Sequence, residues 1–181
     1  MKALISIDYT NDFIADNGAL TTGSVGQQIE SEMINITQSF INNNEFIVFA
    51  IDAHEPLDKY HPENSLFPPH NLVGTVGQQL FGKLQQLYQQ HRYSDNIYWI
   101  NKRHYSAFCG TDLDLRLRER HITEIHLIGV CTDICILHTA VDAYNLSYKL
   151  VIHQNAVASF DPIGHQWALK HFQNTLGATV V

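Results

Sequence analysis

The chain alternates short apolar runs with longer amphipathic segments, and this alternation limits the folds open to it. Six runs are almost continuously apolar: residues 3–7, 46–51, 97–100, 125–130, 150–152 and 178–181. Such runs are typical of strands buried on both faces, as in a parallel sheet. Four segments have the apolar spacing of helices: residues 25–43, 112–120, 132–145 and 164–176. Strand–helix alternation predicts right-handed crossovers and a three-layer α/β/α sandwich around a mostly parallel sheet.

The chain has no internal repeat and no linker-like tract, so we expect a single domain over residues 1–181. Hydrophobic residues make up 45% of the sequence, which is enough for a substantial core. The stretch from Ala53 to Val76 is rich in Pro, His and Asn and is too long for a simple turn. Loops of this length inside a compact domain usually carry function.

The charge balance excludes some partners. Eleven Lys and Arg residues against eighteen Asp and Glu residues give a net charge of −7, which argues against nucleic-acid binding and against a basic membrane-surface helix.

No apolar run approaches the ~18 residues that cross a bilayer, and the first run is too short for a signal peptide. Three cysteines are an odd number with no scaffold pattern. We therefore expect a cytoplasmic protein, and we also expect a homo-oligomer.

Reactive side chains follow the predicted strands where each strand ends. Asp8 ends the first strand, Asp52 the second and Lys102 the third, and the fourth runs into the segment Cys131 to Cys135. Open α/β sheets bind their ligands at the carboxyl ends of the strands. The sequence therefore predicts two carboxylates, an amine and a thiol at one edge of the sheet.

These groups fit nucleophilic catalysis by Cys135. If Thr132 caps the following helix, Cys135 lies in the first turn, where backbone N–H groups and the helix dipole favour a thiolate. Lys102 would lower the thiol pKa further, and Asp8 could take the proton as a general base. The same N–H groups could bind the oxyanion of a tetrahedral intermediate.

Other interpretations of the cysteines remain open. Cys135 could be a buried helix cysteine beside an Asp8–Lys102 ion pair, although the joint placement of the three groups favours chemistry. Cys131 competes for the role of nucleophile, whereas Cys109 has no matching base and is interpreted as structural. A zinc site built on the cysteines lacks ligands.

A second set of residues has the character of metal ligands. Asp52 and His54 occupy alternate positions as the second strand ends, so both project to one side. The following loop adds four candidates: Asp58, His61, Glu63 and His70. A mixture of imidazoles and carboxylates suits zinc, iron or manganese rather than calcium or magnesium.

Three motifs resemble those of the isochorismatase-like cysteine hydrolases, and within them the bacterial nicotinamidases. They are I-D-Y-T-N-D-F at residues 7–13, K-R-H-Y-S-A-F at 102–108 and G-V-C-T-D-I-C at 129–135. The resemblance covers essentially the whole chain. It implies a catalytic triad of Asp8, Lys102 and Cys135, with Cys135 rather than Cys131 as the nucleophile.

The resemblance also implies a metal-binding loop at about residues 52–76. At the matching positions, the resemblance implies that Asp52, His54 and His70 are ligands of a divalent metal. Zn²⁺ is expected, with Fe²⁺ or Mn²⁺ as alternatives. The remaining ligand varies in the family between histidine and glutamate. We assign Glu63 to it, with His61 as the runner-up.

The activity implied is hydrolysis of nicotinamide to nicotinate and ammonia through a Cys135 thioester, in NAD salvage. The family carries a cis peptide that would correspond to Val130–Cys131, and the oxyanion hole would use the amides of Cys131 and Cys135. The pyridine nitrogen would bind the metal. Three aromatic residues are candidates to stack on the ring, with core packing as the alternative: Phe13, Phe67 and Tyr105.

Two other functions remain to be tested. The chain could be an amide or ureido hydrolase of the same superfamily whose substrate has no pyridine ring. It could also be a non-catalytic redox sensor with an oxidisable Cys131/Cys135 pair.

Overall fold

One sheet of six parallel strands forms the centre of the computed structural model, which describes residues 1–181. The strands are β1 (Lys2–Ile7), β2 (Phe46–Asp52), β3 (Ile97–Lys102), β4 (Glu124–Val130), β5 (Lys149–Ala158) and β6 (Thr179–Val180). Their order across the sheet is β3-β2-β1-β4-β5-β6, and every neighbouring pair is parallel. The order reverses direction between β1 and β4, which is where open α/β sheets place a binding crevice.

Helices cover both faces of this sheet, so the predicted three-layer fold is confirmed. They are α1 (Asn11–Ile14), α2 (Ser24–Gln28), α3 (Glu30–Asn42), α4 (Gly82–His91), α5 (Leu113–Glu119), α6 (Leu137–Asn145) and α7 (Pro162–Asn174). A 3₁₀ turn (Pro62–Ser65) and a π-helical turn (Thr132–Ile136) lie between regular elements. No helix combines the length and the apolar character needed to span a membrane.

The two apolar clusters on the sheet faces explain why the strands lack polar alternation. Ala3, Ile5 and Ile7 of β1 point into a cluster of 25 buried residues that includes α5, α6 and α7. Leu4, between them, points into a cluster of 18 buried residues shared with α3. Because side chains alternate between the faces of a strand, a strand that is covered on both faces must be apolar throughout.

Several elements differ from the predicted bounds. The helix predicted over residues 25–43 is two helices, which meet at Ile29. Helix α4 was not predicted, because only Leu84 and Leu87 are buried and the rest of the segment is polar. Strand β5 continues to Ala158, well past the predicted run 150–152, because the exposed polar residues Gln154 and Asn155 are followed by the buried residues 156–158.

Gly129 allows β4 to approach the end of β1 closely, next to Asp8. It pairs with Ile7 and has φ +117, a conformation that residues with a side chain rarely adopt. A Cβ at this position would overlap the carbonyl oxygen of Ile7. The glycine is therefore required where the two central strands meet the site described below.

We expect Gly129→Ala to lower the free energy of unfolding by about 3 kcal/mol or more, because backbone strain and steric overlap combine. Gly177→Ala is the matched control: its φ is +64, but no atom lies within 4 Å of the added Cβ. It should lose only about 1 kcal/mol from strain. Urea unfolding of both variants measures the difference, and equal losses would contradict the close approach at Gly129.

Candidate active site

The carboxyl ends of the central strands bring Asp8, Asp52 and Lys102 together, and Cys135 joins them from the π-helical turn. The Lys102 ammonium lies 2.8 Å from Asp8 Oδ2, 3.8 Å from Asp52 Oδ1 and 3.7 Å from Cys135 Sγ. All four residues are buried. The structure therefore groups the four side chains around one buried positive charge.

The backbone of Asp8 directs its carboxylate towards β2. Asp8 has φ +53, and its N–H donates to the carbonyl of Ala50. Its Oδ1 accepts a hydrogen bond of 2.7 Å from the N–H of Asp52. One carboxylate oxygen is thus held by the neighbouring strand, which leaves Oδ2 facing Lys102.

Cys135 lies in the π-helical turn that connects β4 to α6. The Val130–Cys131 peptide is cis, as the family resemblance implies. The residue that precedes the turn is Cys131, and the turn has no side-chain cap. The prediction that Thr132 caps a helix here is wrong, because the Thr132 hydroxyl lies 2.8 Å from Nδ1 of His165 in α7 instead.

Burial raises the pKa of the Cys135 thiol well above its ordinary value, and Lys102 opposes this only in part. The expected thiolate is therefore not the favoured state of the free protein, because desolvation outweighs the nearby ammonium. Burial also raises the pKa of Asp8, against the opposing effect of Lys102. Although burial alone would lower the pKa of Lys102, the charge of the adjacent Asp8 carboxylate raises it, so the side chain stays protonated.

This arrangement suits transfer of a proton from Cys135 to Asp8. Both groups adjoin Lys102, and burial raises the pKa of each, so the Asp8 carboxylate holds a proton more readily than an ordinary carboxylate does. The transfer moves one negative charge between two positions beside the same ammonium, so the net charge of the buried group does not change. A cysteine nucleophile can therefore be formed here without placing an unpaired charge in the core.

Four candidate metal ligands lie next to this group, and we call them the metal cluster: Asp52, His54, Glu63 and His70. Each offers one ligand atom, and these atoms all lie within 4.8 Å of one another. Nε2 of His70 is 3.3 Å from Asp52 Oδ2 and 3.5 Å from Glu63 Oε2. Nδ1 of His70 donates to the carbonyl of Pro68, which leaves Nε2 free to face the cluster.

The electrostatics of this cluster favour a cation. Two buried carboxylates, those of Asp52 and Glu63, lie together with the buried imidazoles of His54 and His70. Burial alone would lower the pKa of His70, but its hydrogen bonds to Asp52 and Glu63 raise it to about 10. Two imidazoles and two carboxylates form a donor set that fits a divalent ion such as zinc, iron or manganese.

His61 and Asp58 lie outside the cluster. His61 is buried, its ring stacks on that of His54 with the ring centroids 3.7 Å apart, and its Nδ1 accepts from the N–H of Glu63. Asp58 instead forms an ion pair with Arg103. Of the two candidates for the remaining ligand, the structure brings Glu63 into the cluster and leaves His61 behind it.

The three predicted aromatic residues border the site in different ways. Phe13 and Phe67 contact His70 edge-on, with centroid distances of 5.3 Å and 6.2 Å. Tyr105 packs against His138 at 5.2 Å and, together with Glu63, lines a cavity of about 350 Å³. Phe13 and Phe67 therefore border the metal cluster at His70, and Tyr105 borders the cavity beside Glu63.

Sequence reasoning missed three contributors to this region. His138 lines the cavity and lies three residues after Cys135, a helical spacing that could have indicated it. Cys109, interpreted as structural, is exposed and lines the same cavity. His165 also contacts the π-helical turn, but nothing in its local sequence relates it to residues so far away in the chain.

Known proteins are similar to this chain in both sequence and fold. The chain matches the isochorismatase domain family over residues 2–181. A Bacillus subtilis protein described as an uncharacterized isochorismatase family protein, PncA, is 58% identical over 99% of this chain and 98% of its own length. The crystal structure of nicotinamidase/pyrazinamidase PncA from Bacillus subtilis has a TM-score of 0.99 and 59% identity, and covers 99% of this chain and 98% of that chain.

A more distant structure is relevant to the metal cluster. It is the pyrazinamidase of Pyrococcus horikoshii in complex with zinc, with a TM-score of 0.86 and 25% identity. The match covers 99% of this chain and 98% of that chain.

Replacing Glu63 tests the metal cluster. We expect Glu63→Gln to weaken zinc binding by about 100-fold or more. Loss of a residue that only hydrogen-bonds to a metal ligand already lowers metal affinity by about 10–100-fold, and loss of a ligand should cost more. His61→Gln is the control and should lose about tenfold or less. Titration of the metal-free proteins with zinc measures both affinities. A larger loss for His61→Gln would show that His61, not Glu63, is the ligand.

The protonation state of Cys135 is also testable. In metal-free protein at neutral pH, we expect a protonated Cys135, because burial raises the pKa of its thiol well above the ordinary value. The ultraviolet absorbance of thiolate should therefore be the same for the native chain and Cys135→Ser at neutral pH, and should diverge only in strong alkali. A thiolate signal at neutral pH that Cys135→Ser removes would contradict this.

Proposed function

The chain belongs to the isochorismatase family, and we propose that it is a nicotinamidase, a hydrolase that converts nicotinamide to nicotinate and ammonia in NAD salvage. The similarity to PncA of Bacillus subtilis covers almost the full length of both chains. The observation that carries the proposal is that Asp52 belongs both to the group around Lys102 and to the metal cluster. It lies 3.8 Å from the Lys102 ammonium and also contributes to the metal cluster.

The reaction begins with proton transfer from the Cys135 thiol to Asp8. The sulfur then attacks the carboxamide carbon of nicotinamide and forms a tetrahedral intermediate with a negatively charged oxygen. The backbone amides of Cys131 and Cys135 stabilise this oxyanion. Lys102 keeps its positive charge throughout, which favours the thiolate over the buried thiol while the sulfur attacks.

Collapse of the intermediate breaks the carbon–nitrogen bond. Asp8 returns its proton to the leaving nitrogen, and ammonia departs while the acyl group remains on Cys135 as a thioester. Asp8 then takes a proton from a water molecule, whose oxygen attacks the thioester carbon. Nicotinate is released, and the sulfur recovers its proton from Asp8.

Asp52, His54, Glu63 and His70 form the donor set that we propose for a divalent metal, with zinc as the specific proposal. The zinc complex of the Pyrococcus horikoshii pyrazinamidase supports that choice. When bound, the ion supplies a Lewis acid that can coordinate the pyridine nitrogen and orient the carboxamide. Three side chains pack against the ring: Phe13, Phe67 and Tyr105.

The remaining predictions concern the setting of the enzyme. We propose a single hydrolase domain over residues 1–181, a cytoplasmic location and assembly into a homo-oligomer. Three free cysteines without a disulfide support a reducing compartment. The two rival functions, a hydrolase with a non-pyridine substrate and a thiol redox sensor, are not favoured by these relatives.

An ammonia-release assay with nicotinamide tests the proposal. Cys135→Ala should lower turnover by about 10³-fold or more, because it removes the nucleophile. Cys131→Ala is the matched control from the same turn. It should retain activity within about tenfold, since a buried structural cysteine is inert and only its backbone amide is used.

Two further arms of this assay separate the alternatives. An N-carbamoyl amine as substrate tests the ureido-hydrolase alternative, and we expect far less ammonia from it than from nicotinamide. Chelation before the assay should reduce turnover, and added zinc should restore it. Activity that survives Cys135→Ala, or a clear preference for the N-carbamoyl amine, would contradict the proposed function.

A further inference from the structure

The π-helical turn that carries Cys135 is attached to α7 by polar side chains. The Thr132 hydroxyl, which is completely buried, lies 2.8 Å from Nδ1 of His165. The neighbouring Asp133 carboxylate accepts a hydrogen bond from the hydroxyl of Ser159, just before α7. Two consecutive residues of the turn thus bind one short segment of the chain that follows β5.

The start of α7 is shaped to receive the turn. A Cβ at Gly164 would overlap the Asp133 carboxylate, so any side chain at that position would have to displace this carboxylate. Ser159, Gly164 and His165 therefore all contact the turn, from a stretch of seven residues. Glycine in a helix normally lowers helix stability, and the close approach of Asp133 gives its presence here a structural reason.

The turn depends on such external contacts for its position. It has no side-chain cap of its own, and the N–H groups of Ile134 and Ile136 both donate to the single carbonyl of Cys131. The location of Cys135 Sγ relative to Lys102 follows from where the whole turn lies. Displacement of a nucleophile by about 1 Å can slow a reaction by about 100-fold.

We propose that His165 is a positioning residue for the nucleophile. Its imidazole holds the Thr132 hydroxyl against α7, and this keeps Cys135 Sγ beside Lys102 and Asp8. His165 belongs neither to the metal cluster nor to the lining of the cavity, so its effect falls on the chemical step rather than on substrate binding. The kinetic part of this inference rests on the proposed nicotinamidase activity.

Two substitutions of His165 test this role. His165→Leu keeps a side chain of similar size but removes its polar atoms, which leaves the buried Thr132 hydroxyl without its partner. His165→Asn keeps a polar atom close to the position of Nδ1 and should restore the contact. His171→Leu is the control: His171 lies on the same helix, is also half-buried and stacks on Trp167.

For His165→Leu we expect kcat with nicotinamide to fall at least tenfold while KM changes less than twofold. The rate at which iodoacetamide alkylates Cys135, followed by peptide mass spectrometry, should fall in parallel. His165→Asn should recover most of both rates, and His171→Leu should match the native chain. Zinc content should be the same in all of these proteins, and thermal unfolding verifies that each is folded.

Several results would overturn the inference. A native kcat for His165→Leu would do so, as would a change confined to KM, or equal losses in His165→Asn and His165→Leu. If His165→Leu does not fold, Thr132→Val replaces it. That change keeps the shape of the side chain but removes the hydroxyl that contacts His165, so kcat and alkylation should fall, and unchanged rates would reject the positioning role.

The alkylation assay keeps the two proposals apart, because it requires no turnover. If the native chain releases no ammonia from nicotinamide, the proposed function fails. The effect of His165 on the reactivity of Cys135 is then still decided by the alkylation rates.

Discussion

The buried ammonium of Lys102 is the constraint on which the site depends. A charge with no exposure to water must be paired, since an unpaired buried charge costs several kcal/mol. Asp8, Asp52 and Cys135 all lie close to it, and they reach it from three separate segments of the chain. The pairing therefore ties β1, β2 and the turn after β4 to the end of β3.

Asp52 connects this charge network to the metal cluster. One of its oxygens faces Lys102, and the other faces the imidazoles of His54 and His70. The carboxylate thus lies between two positive partners, and although burial alone would raise its pKa, Lys102 and His54 hold that pKa below its ordinary range. A cation in the cluster and the Cys135 thiol would then influence one another through Asp52 and Lys102, which is a physical reason for the two groups to be adjacent.

Much of the architecture could be predicted from the sequence, because strand burial and strand order leave local signals. The ends of the first three strands were located through Asp8, Asp52 and Lys102, since an apolar run stops where the sheet edge begins. Helix α4 was missed because only two of its side chains are buried, and the outer half of β5 was missed because the exposed residues Gln154 and Asn155 interrupt its apolar pattern. In both cases tertiary contacts, rather than periodicity, maintain the element.

The sequence by itself determined the fold class and the chemical groups at the rim, because parallel strands bring their carboxyl ends to one edge regardless of detail. Only the tertiary structure decided three further points. It placed Glu63 rather than His61 in the metal cluster, gave Cys135 a raised thiol pKa and paired Thr132 with His165. Each depends on burial or on contacts between residues that are distant in the chain. A local sequence pattern contains no information about these neighbours.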